Sequence, residues 1–324
     1  MPLSAPPRLS PRLVAFALLI LSALALAGLY HRSVYIDDAW LGERAYWLAR
    51  EGAVRSELFR GQLDYGERMF VFHKLFAVAG ATSIRLIGWS VYVLKSVSLV
   101  SFLAFLGLLW AYCRRFEPKE VFSLTALILL AHGLLGFHLF VYRPEVMLMA
   151  LGFGCFLLLR SFLEGGRWPH LAGGAVLAGL CVLTHLNGLV FIAAGTVLLA
   201  ARRRLAPAAA FAAVASSVAA LYLADAALAG RLPTLWTQLL TDPMLAQRYP
   251  DAGSRLTGLL AEHQRYFHSR DEIAFAALVI LIVVGTARLT NLRSSPLVPF
   301  TLGLAVSLAI LAPNKQAYYA LPLL

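Results

Sequence analysis

The stretch VYIDDAWLGERAYWLAREG, Val34–Gly52, places two adjacent aspartates, Asp37 and Asp38, just after the first apolar run of the chain. The apolar residues that follow them recur at helical spacing, which predicts an amphipathic helix suited to a membrane surface. An N-terminal cap explains one aspartate of such a helix, because a carboxylate accepts hydrogen bonds from the unpaired backbone N–H groups there. Capping does not explain two, so the pair is also a candidate active site beside a membrane.

The composition indicates the environment in which this helix lies. Of the 324 residues, 60% are hydrophobic and 14% are charged, and the mean hydropathy is +0.74. A soluble domain is roughly half apolar and a quarter charged, and several apolar stretches here approach the ~20 residues that a bilayer-spanning helix needs. The sequence therefore predicts an all-α polytopic membrane protein. Cys113, Cys155 and Cys181 have no paired spacing, which indicates neither a disulfide framework nor a zinc motif.

A single transmembrane domain with nine helices and two long loops is expected over residues 1–324. The helices are predicted near 12–30, 86–112, 121–141, 145–163, 170–184, 186–201, 206–228, 273–288 and 297–312, and the loops at 31–85 and 229–272. The first helix lacks a small-residue cleavage site and is interpreted as a retained signal anchor. The pair 170–184 and 186–201 forms either a hairpin or one long broken element. The final YYALPLL is too short to span a bilayer, so the chain is either a fragment or an abbreviated protein.

The basic residues favour the hairpin. If the N-terminus is cytoplasmic, the inner loops carry Arg8, Arg12, Arg114, Arg115, Lys119, Arg160, Arg167, Arg202, Arg203, Arg204, Arg288 and Arg293. This asymmetry fits the positive-inside rule, and a single crossing over 170–201 would leave Arg167 or the 202–204 cluster outside. The net charge of +11 then reflects topology, and no nucleic-acid partner is expected. Both long loops lie on the outer face, which predicts an outward-facing site.

Five segments, in order along the chain, carry a resemblance to a known family. They are DDAW (37–40), SIRLIGWSVYVL (83–94), YRPEVMLMALGFGCFLLLR (142–160), LTHLNGLVFIAAGTVLLAARRR (183–204) and APNKQAYYALP (312–322). Together they resemble the GT-C superfamily of membrane glycosyltransferases, most closely its protein O-mannosyltransferases and lipid A aminoarabinose transferases. The sequence departs from that family at GERMFVFHKLF (66–76), which lacks a proline pair, and at His185, where the family has lysine. The large C-terminal domain of many relatives is also absent from this sequence.

The resemblance implies a GT-C-like transmembrane helical bundle with short amphipathic helices in the first outer loop. It implies transfer of a hexosyl or pentosyl group from a polyprenyl-phosphate-linked sugar to a lipid, glycan or protein hydroxyl, at the outer face of a bacterial plasma membrane and among its lipids. Asp37 or Asp38 would be the general base. The departing lipid phosphate needs cations or hydrogen-bond donors. The residues expected to bind substrate are Arg143, Glu145, His185, Asn187, Lys315 and Tyr318.

These substrate-binding candidates also have structural interpretations. Arg143 can pair with Glu145 at the membrane interface, and Glu145 can stabilise the positive end of a helix dipole. His185 can pack as the polar apex of the hairpin. Lys315 can anchor the chain at the interface beside Tyr318.

Other polar residues and other functions offer alternatives to the enzyme. Lys95 and Asp225 lie inside apolar spans near their predicted outer ends and are interpreted as snorkelling side chains.

Some GT-C enzymes use a divalent cation and others do not, so the sequence leaves metal dependence open and indicates no certain cofactor. A transporter or flippase of a lipid-linked sugar, or a non-catalytic assembly protein, would share the fold. A transporter should carry polar residues near mid-membrane, whereas here they crowd one face, which favours the enzyme.

Overall fold

The computed structural model describes residues 34–117, 119–241 and 295–311, with a few helical positions between 16 and 27. Every regular element in these residues is a helix. Three stretches of this described part are long and apolar enough to cross a membrane: Val91–Phe116, Glu145–Gly165 and Leu205–Leu228. The chain is therefore an all-α membrane protein, as its composition predicts.

The helices of the described residues are numbered here from residue 36 onward. They are α1 (Ile36–Glu51), α2 (Lys74–Ile87), α3 (Val91–Phe116), α4 (Lys119–Ala131), α5 (Gly133–His138), α6 (Glu145–Gly165), α7 (Trp168–Thr184), α8 (Leu189–Ala201), α9 (Leu205–Ala220), α10 (Ala224–Leu228), α11 (Leu232–Thr241) and α12 (Leu297–Leu311). Short 3₁₀ turns at Leu186–Gly188 and Leu221–Leu223 join α7 to α8 and α9 to α10.

Two predicted helices are corrected by the observed ones, and a third contains a 3₁₀ turn. The predicted helix 121–141 is two helices, because the ring of His132 accepts a hydrogen bond from Leu135 N (3.4 Å) and caps a new helix. The predicted helix 206–228 corresponds to the membrane-length stretch Leu205–Leu228, in which a 3₁₀ turn joins α9 to α10. The predicted helix 86–112 starts too early, because α2 continues to residue 87 and the positive φ of Gly88 (111°) ends it.

The predicted helices 145–163, 170–184 and 186–201 correspond to α6, to α7 and to the 3₁₀ turn with α8. The other predicted segments are described in part or not at all. The predicted helix 297–312 corresponds to α12. The predicted helix 12–30 is described only at scattered positions, which are helical. The predicted helix 273–288 and most of the predicted loop 229–272 lie outside the described residues.

The chain reverses direction between α7 and α8. A Cβ atom on Gly188 would lie 2.2 Å from the backbone carbon of Cys181, whereas residues seven apart on a straight helix are about 10 Å apart. A Cβ on Gly152 of α6 would meet the Phe191 ring of α8 at 2.0 Å, so the missing side chain lets these helices approach closely. The two short segments are a hairpin and not one broken helix.

The bundle has two chemically different ends. Helices α3 and α6 both start at one end, which we call the carboxylate end and which holds residues 34–38, 95–98, 139–145 and 185. They finish at the other, the arginine end, which holds residues 112–117 and 160–168. There Arg115 Nη1 lies 3.3 Å from Ser161 Oγ, and Arg160 Nη1 donates to the Tyr112 hydroxyl at 2.6 Å.

Candidate functional site

Asp38 is buried at the carboxylate end, in the first turn of α1. Its Oδ2 accepts a hydrogen bond from Tyr35 N (2.9 Å), and its Oδ1 accepts one from Tyr142 N (2.6 Å). Lys95 Nζ of α3 lies 3.2 Å from Oδ2, and both side chains are at most 1% exposed. The carboxylate therefore joins three segments of the chain and offers almost no surface to a substrate.

Asp37, the preceding residue, faces a different environment. Successive residues of a helix are rotated by about 100°, so its carboxylate lies on a different side of α1 from that of Asp38. The side chain is 15% exposed, and its Oδ2 accepts a hydrogen bond from Arg143 Nη1. Arg143 donates two further hydrogen bonds to Glu145, from Nη2 to Oε1 at 2.7 Å and from Nε to Oε2 at 3.1 Å. Asp37, Arg143 and Glu145 form one charged cluster, with Asp37 on its outer side.

Helix α3 contacts the turn that carries Arg143 and hydrogen-bonds to its backbone. Ser98 lies one helical turn after Lys95, and its fully buried hydroxyl donates to Val141 O at 2.8 Å. Together the two contacts fix the peptide group between Val141 and Tyr142, since Lys95 also holds the carboxylate that accepts from Tyr142 N. Arg143 therefore meets Asp37 at a position set by buried polar bonds.

Tyr142 anchors the same turn against α2. Its ring stacks on Phe76 at a centroid distance of 4.2 Å, and its hydroxyl donates to Phe76 O at 3.0 Å. Gly80 makes room for it, because a Cβ there would lie 2.0 Å from the Tyr142 hydroxyl oxygen. Burial raises the pKa of Tyr142 far above its usual range, so the hydroxyl stays protonated and keeps donating.

Two stacked histidines lie beside the charged cluster. The rings of His73 and His185 stack at 4.6 Å, and His185 Nδ1 accepts a hydrogen bond from Asn187 N (2.9 Å). Burial lowers the pKa of His185 to about 4; Glu145 opposes this shift and Arg143 adds to it. Burial also lowers the pKa of His73 well below its usual range. His185 is therefore neutral at pH 7 and can donate a hydrogen bond through Nε2, but it supplies no positive charge.

The structure brings part of the expected site together. Asp37, Arg143 and Glu145 are in direct contact, and the predicted pairing of Arg143 with Glu145 is confirmed. Glu145 occupies the first turn of α6, where its charge faces the positive end of the helix dipole. The other expected residues divide into Asp38 behind the cluster, His185 and Asn187 in the adjacent hairpin turn, and Lys315 and Tyr318 outside the described residues.

The sequence interpretation of Lys95 was wrong. A snorkelling lysine would reach water, but Lys95 is 1% exposed and lies against the carboxylate of Asp38. The signal in the sequence was its spacing: Lys95 and Ser98 are three residues apart in a mostly apolar helix, which puts both on one face. Asp225, also interpreted as snorkelling, instead pairs with Lys74 in the first predicted loop.

The two long predicted loops pack on each other. Gln238 of α11 is fully buried; its Oε1 accepts from Phe70 N (2.8 Å), and its Nε2 donates to Arg68 O (2.8 Å) and Leu63 O (3.0 Å). A buried amide with both ends bonded fixes the register between two segments. The part of the second loop that precedes residue 242 thus covers the first.

No group of three His, Cys, Asp or Glu side chains that could hold a metal ion occurs in the described part of the chain. No protein-family model, no curated protein and no solved structure matches this sequence. The fold and site define the class as an all-α membrane protein with buried ion pairs at one end of its bundle.

Proposed function

We propose that the chain is a multi-pass membrane glycosyltransferase of the GT-C type, with its N-terminus in the cytoplasm and its carboxylate end at the outer face of a bacterial plasma membrane. The observation that carries the proposal is the asymmetry of the aspartate pair. Asp37 is partly exposed and held by one guanidinium, while Asp38 is enclosed by Lys95 and two backbone N–H groups. A general base needs access to its substrate and a fixed orientation, and Asp37 has both.

In the proposed reaction, Asp37 accepts the proton of an acceptor hydroxyl. The hydroxyl oxygen forms a bond to the anomeric carbon of a polyprenyl-phosphate-linked sugar. The bond from that carbon to the phosphate oxygen breaks, and its electron pair stays on the lipid phosphate. The acceptor is a lipid, a glycan or a protein. The resemblance of DDAW (37–40) to the first outer loop of GT-C enzymes supports the same assignment.

The charges of the cluster refine the roles proposed for its members. Two carboxylates surround one guanidinium, so the charge of Arg143 is already offset by Asp37 and Glu145. We assign Arg143 to the orientation of Asp37 and not to the departing phosphate. In this proposal the departing phosphate accepts hydrogen bonds from neutral donors such as His185. The cation that offsets its charge comes from a residue outside the cluster, for which Lys315 remains the candidate from the sequence.

The experiment that tests this proposal measures turnover by the purified chain. The protein is incubated in detergent or nanodiscs with a panel of radiolabelled polyprenyl-phosphate sugars, and sugar transfer or slow donor hydrolysis is followed. We expect turnover with at least one donor, lost in Asp37→Asn. Asp64→Asn, the same change at an exposed loop position, serves as the control and should keep full activity. Folded wild-type protein that turns over none of the donors would refute the proposal.

The proposed orientation has a separate test. Reporter fusions after Asp38 and within the Arg202–Arg204 cluster should report opposite compartments, because the positive-inside rule places the arginines in the cytoplasm. Reporters in the same compartment would overturn the assignment of the site to the outer face. That result would concern only the orientation of the chain in the membrane and not the contacts within the carboxylate end.

A further inference from the structure

A cavity of about 330 Å³ lies beneath the far end of α1, away from the charged cluster. Its lining includes Leu48 of the last turn of α1, whereas Asp37 lies in the first turn. Eleven residues of α-helix separate these positions by about 16 Å along the axis. The other walls come from the loop that precedes α2, from α2 itself and from the 3₁₀ turn and α10 that follow α9. This cavity, which we call the Arg68 cavity, is separate from the proposed catalytic site.

Its polar lining is positive. Lys74 pairs with Asp225 and donates to Phe70 O at 3.0 Å, so these two charges offset each other. Arg68 adds a second cation, and no carboxylate within the described residues lies at ion-pair distance from it. Its Nε is buried without a hydrogen-bond partner in the described part of the chain. A buried donor left without an acceptor is costly, and an anionic oxygen in the cavity would remove that cost.

The two cations also act on each other. Burial lowers the pKa of Lys74; Asp225 opposes this shift, and Arg68 adds to it. An anion bound between Lys74 and Arg68 would relieve their repulsion and form charge-assisted hydrogen bonds with both. The polar part of the cavity therefore favours a phosphate group over a neutral ligand.

The mouth of the cavity is apolar and exposed. Leu221 and Leu228 line it from the last turns of a stretch long enough to span a membrane, and Leu228 is 90% exposed. Val78 of α2 is an exposed lining residue on the opposite wall. Apolar side chains at the end of a membrane span are suited to lipid chains, and cationic side chains beside them are suited to a lipid phosphate.

We propose that the Arg68 cavity binds the phosphate headgroup of an anionic membrane lipid, with the acyl chains along Leu221 and Leu228. The occupant is a lipid and not a free anion, because exposed apolar side chains (Leu221, Leu228 and Val78) line the same cavity as the cations. This site is independent of the proposed glycosyl transfer, and its occupancy is measured without a sugar donor.

The test measures lipid binding to the purified full-length chain by native mass spectrometry. Phosphatidylglycerol and phosphatidylcholine are compared as added lipids, and we expect phosphatidylglycerol to be retained preferentially. Arg68→Gln should weaken its binding about tenfold, the loss expected for one hydrogen bond to a charged group. Arg231→Gln removes an exposed arginine of the same region, 3.9 Å from Glu67, and should leave binding unchanged.

A second variant and three contradicting outcomes complete the test. Val78→Trp fills the mouth without altering any charge and should displace the lipid even if Arg68→Gln fails to fold. Equal retention of the two lipids, or equal losses in Arg68→Gln and Arg231→Gln, would overturn the proposal. Competition by inorganic phosphate as effective as that by phosphatidylglycerol would assign the cavity to a free anion instead.

Discussion

The two ends of the bundle use ion pairs in opposite ways. At the carboxylate end, the Lys95–Asp38 pair is at most 1% exposed. At the arginine end, the Arg115–Glu164 pair is 53% and 44% exposed. Exposed pairs contribute about 0–1 kcal/mol, whereas removal of one partner of a buried pair leaves an uncompensated charge. We therefore expect the loss of one charge to destabilise the carboxylate end strongly and the arginine end only slightly.

The largest effect on stability is expected at Lys95. Lys95→Met leaves Asp38 buried without its cation and should lower the free energy of unfolding by about 3–5 kcal/mol. Reversible unfolding in detergent, followed by tryptophan fluorescence, measures this change. The comparison of the two ends fails if Lys95→Met unfolds at the same denaturant concentration as the wild type.

The control for Lys95→Met removes both charges. In Asp38→Asn/Lys95→Met no charge is stranded, and the amide oxygen can still accept from Tyr142 N. The double variant should therefore be more stable than Lys95→Met, and the double-mutant cycle should give a coupling of about 0.5–3 kcal/mol. Additive losses would show that the two side chains act independently.

The next effect is a dependence of stability on pH. Because the pKa of His185 is about 4 in the folded chain and the ordinary value is about 6.5, the unfolded chain binds more protons between these values. Stability should fall as pH drops through this window, by up to about 1.4 kcal/mol per pH unit for this group. In His185→Asn, which keeps an acceptor near Asn187 N, the slope should be smaller. An unchanged slope would contradict the assignment.

A smaller effect is expected at Gly80, which leaves space for Tyr142 at the carboxylate end. Gly80→Ala puts a Cβ into the Tyr142 hydroxyl and should cost about 1–3 kcal/mol. Gly107→Ala is the matched control, since nothing lies within 4 Å of its Cβ and alanine favours the helix by about 0.5–1 kcal/mol. Unfolding curves of the two variants should shift in opposite directions, and a shared direction would refute the packing argument.

The smallest effect is expected at the arginine end. Arg115→Gln removes an exposed pair with Glu164 and should change the free energy of unfolding by less than about 1 kcal/mol. Unfolding in detergent, followed by tryptophan fluorescence as for Lys95→Met, measures this change in free energy. A loss as large as that of Lys95→Met would erase the difference between the ends.

The length of the apolar stretches was enough to predict most of the described helices, because a membrane helix must be long and apolar. Composition could not locate breaks that depend on a single side chain, such as the cap made by His132. The residues of the site were visible as isolated charges, and the Arg143–Glu145 pair follows from a spacing of two. The Lys95–Asp38 pair could not be found in this way, since it joins residues 57 positions apart in the chain through tertiary packing.

The central claim is that Asp37 performs the chemistry while the Asp38–Lys95 pair holds it in place. The most direct measurement compares the rate of sugar transfer or donor hydrolysis in Asp37→Asn and in Asp38→Asn/Lys95→Met, each with its unfolding midpoint. Asp37→Asn should fold like the wild type and lose about 10²–10⁴-fold in rate, while the double variant keeps measurable turnover. Full activity in folded Asp37→Asn, with none in a folded double variant, would contradict the claim.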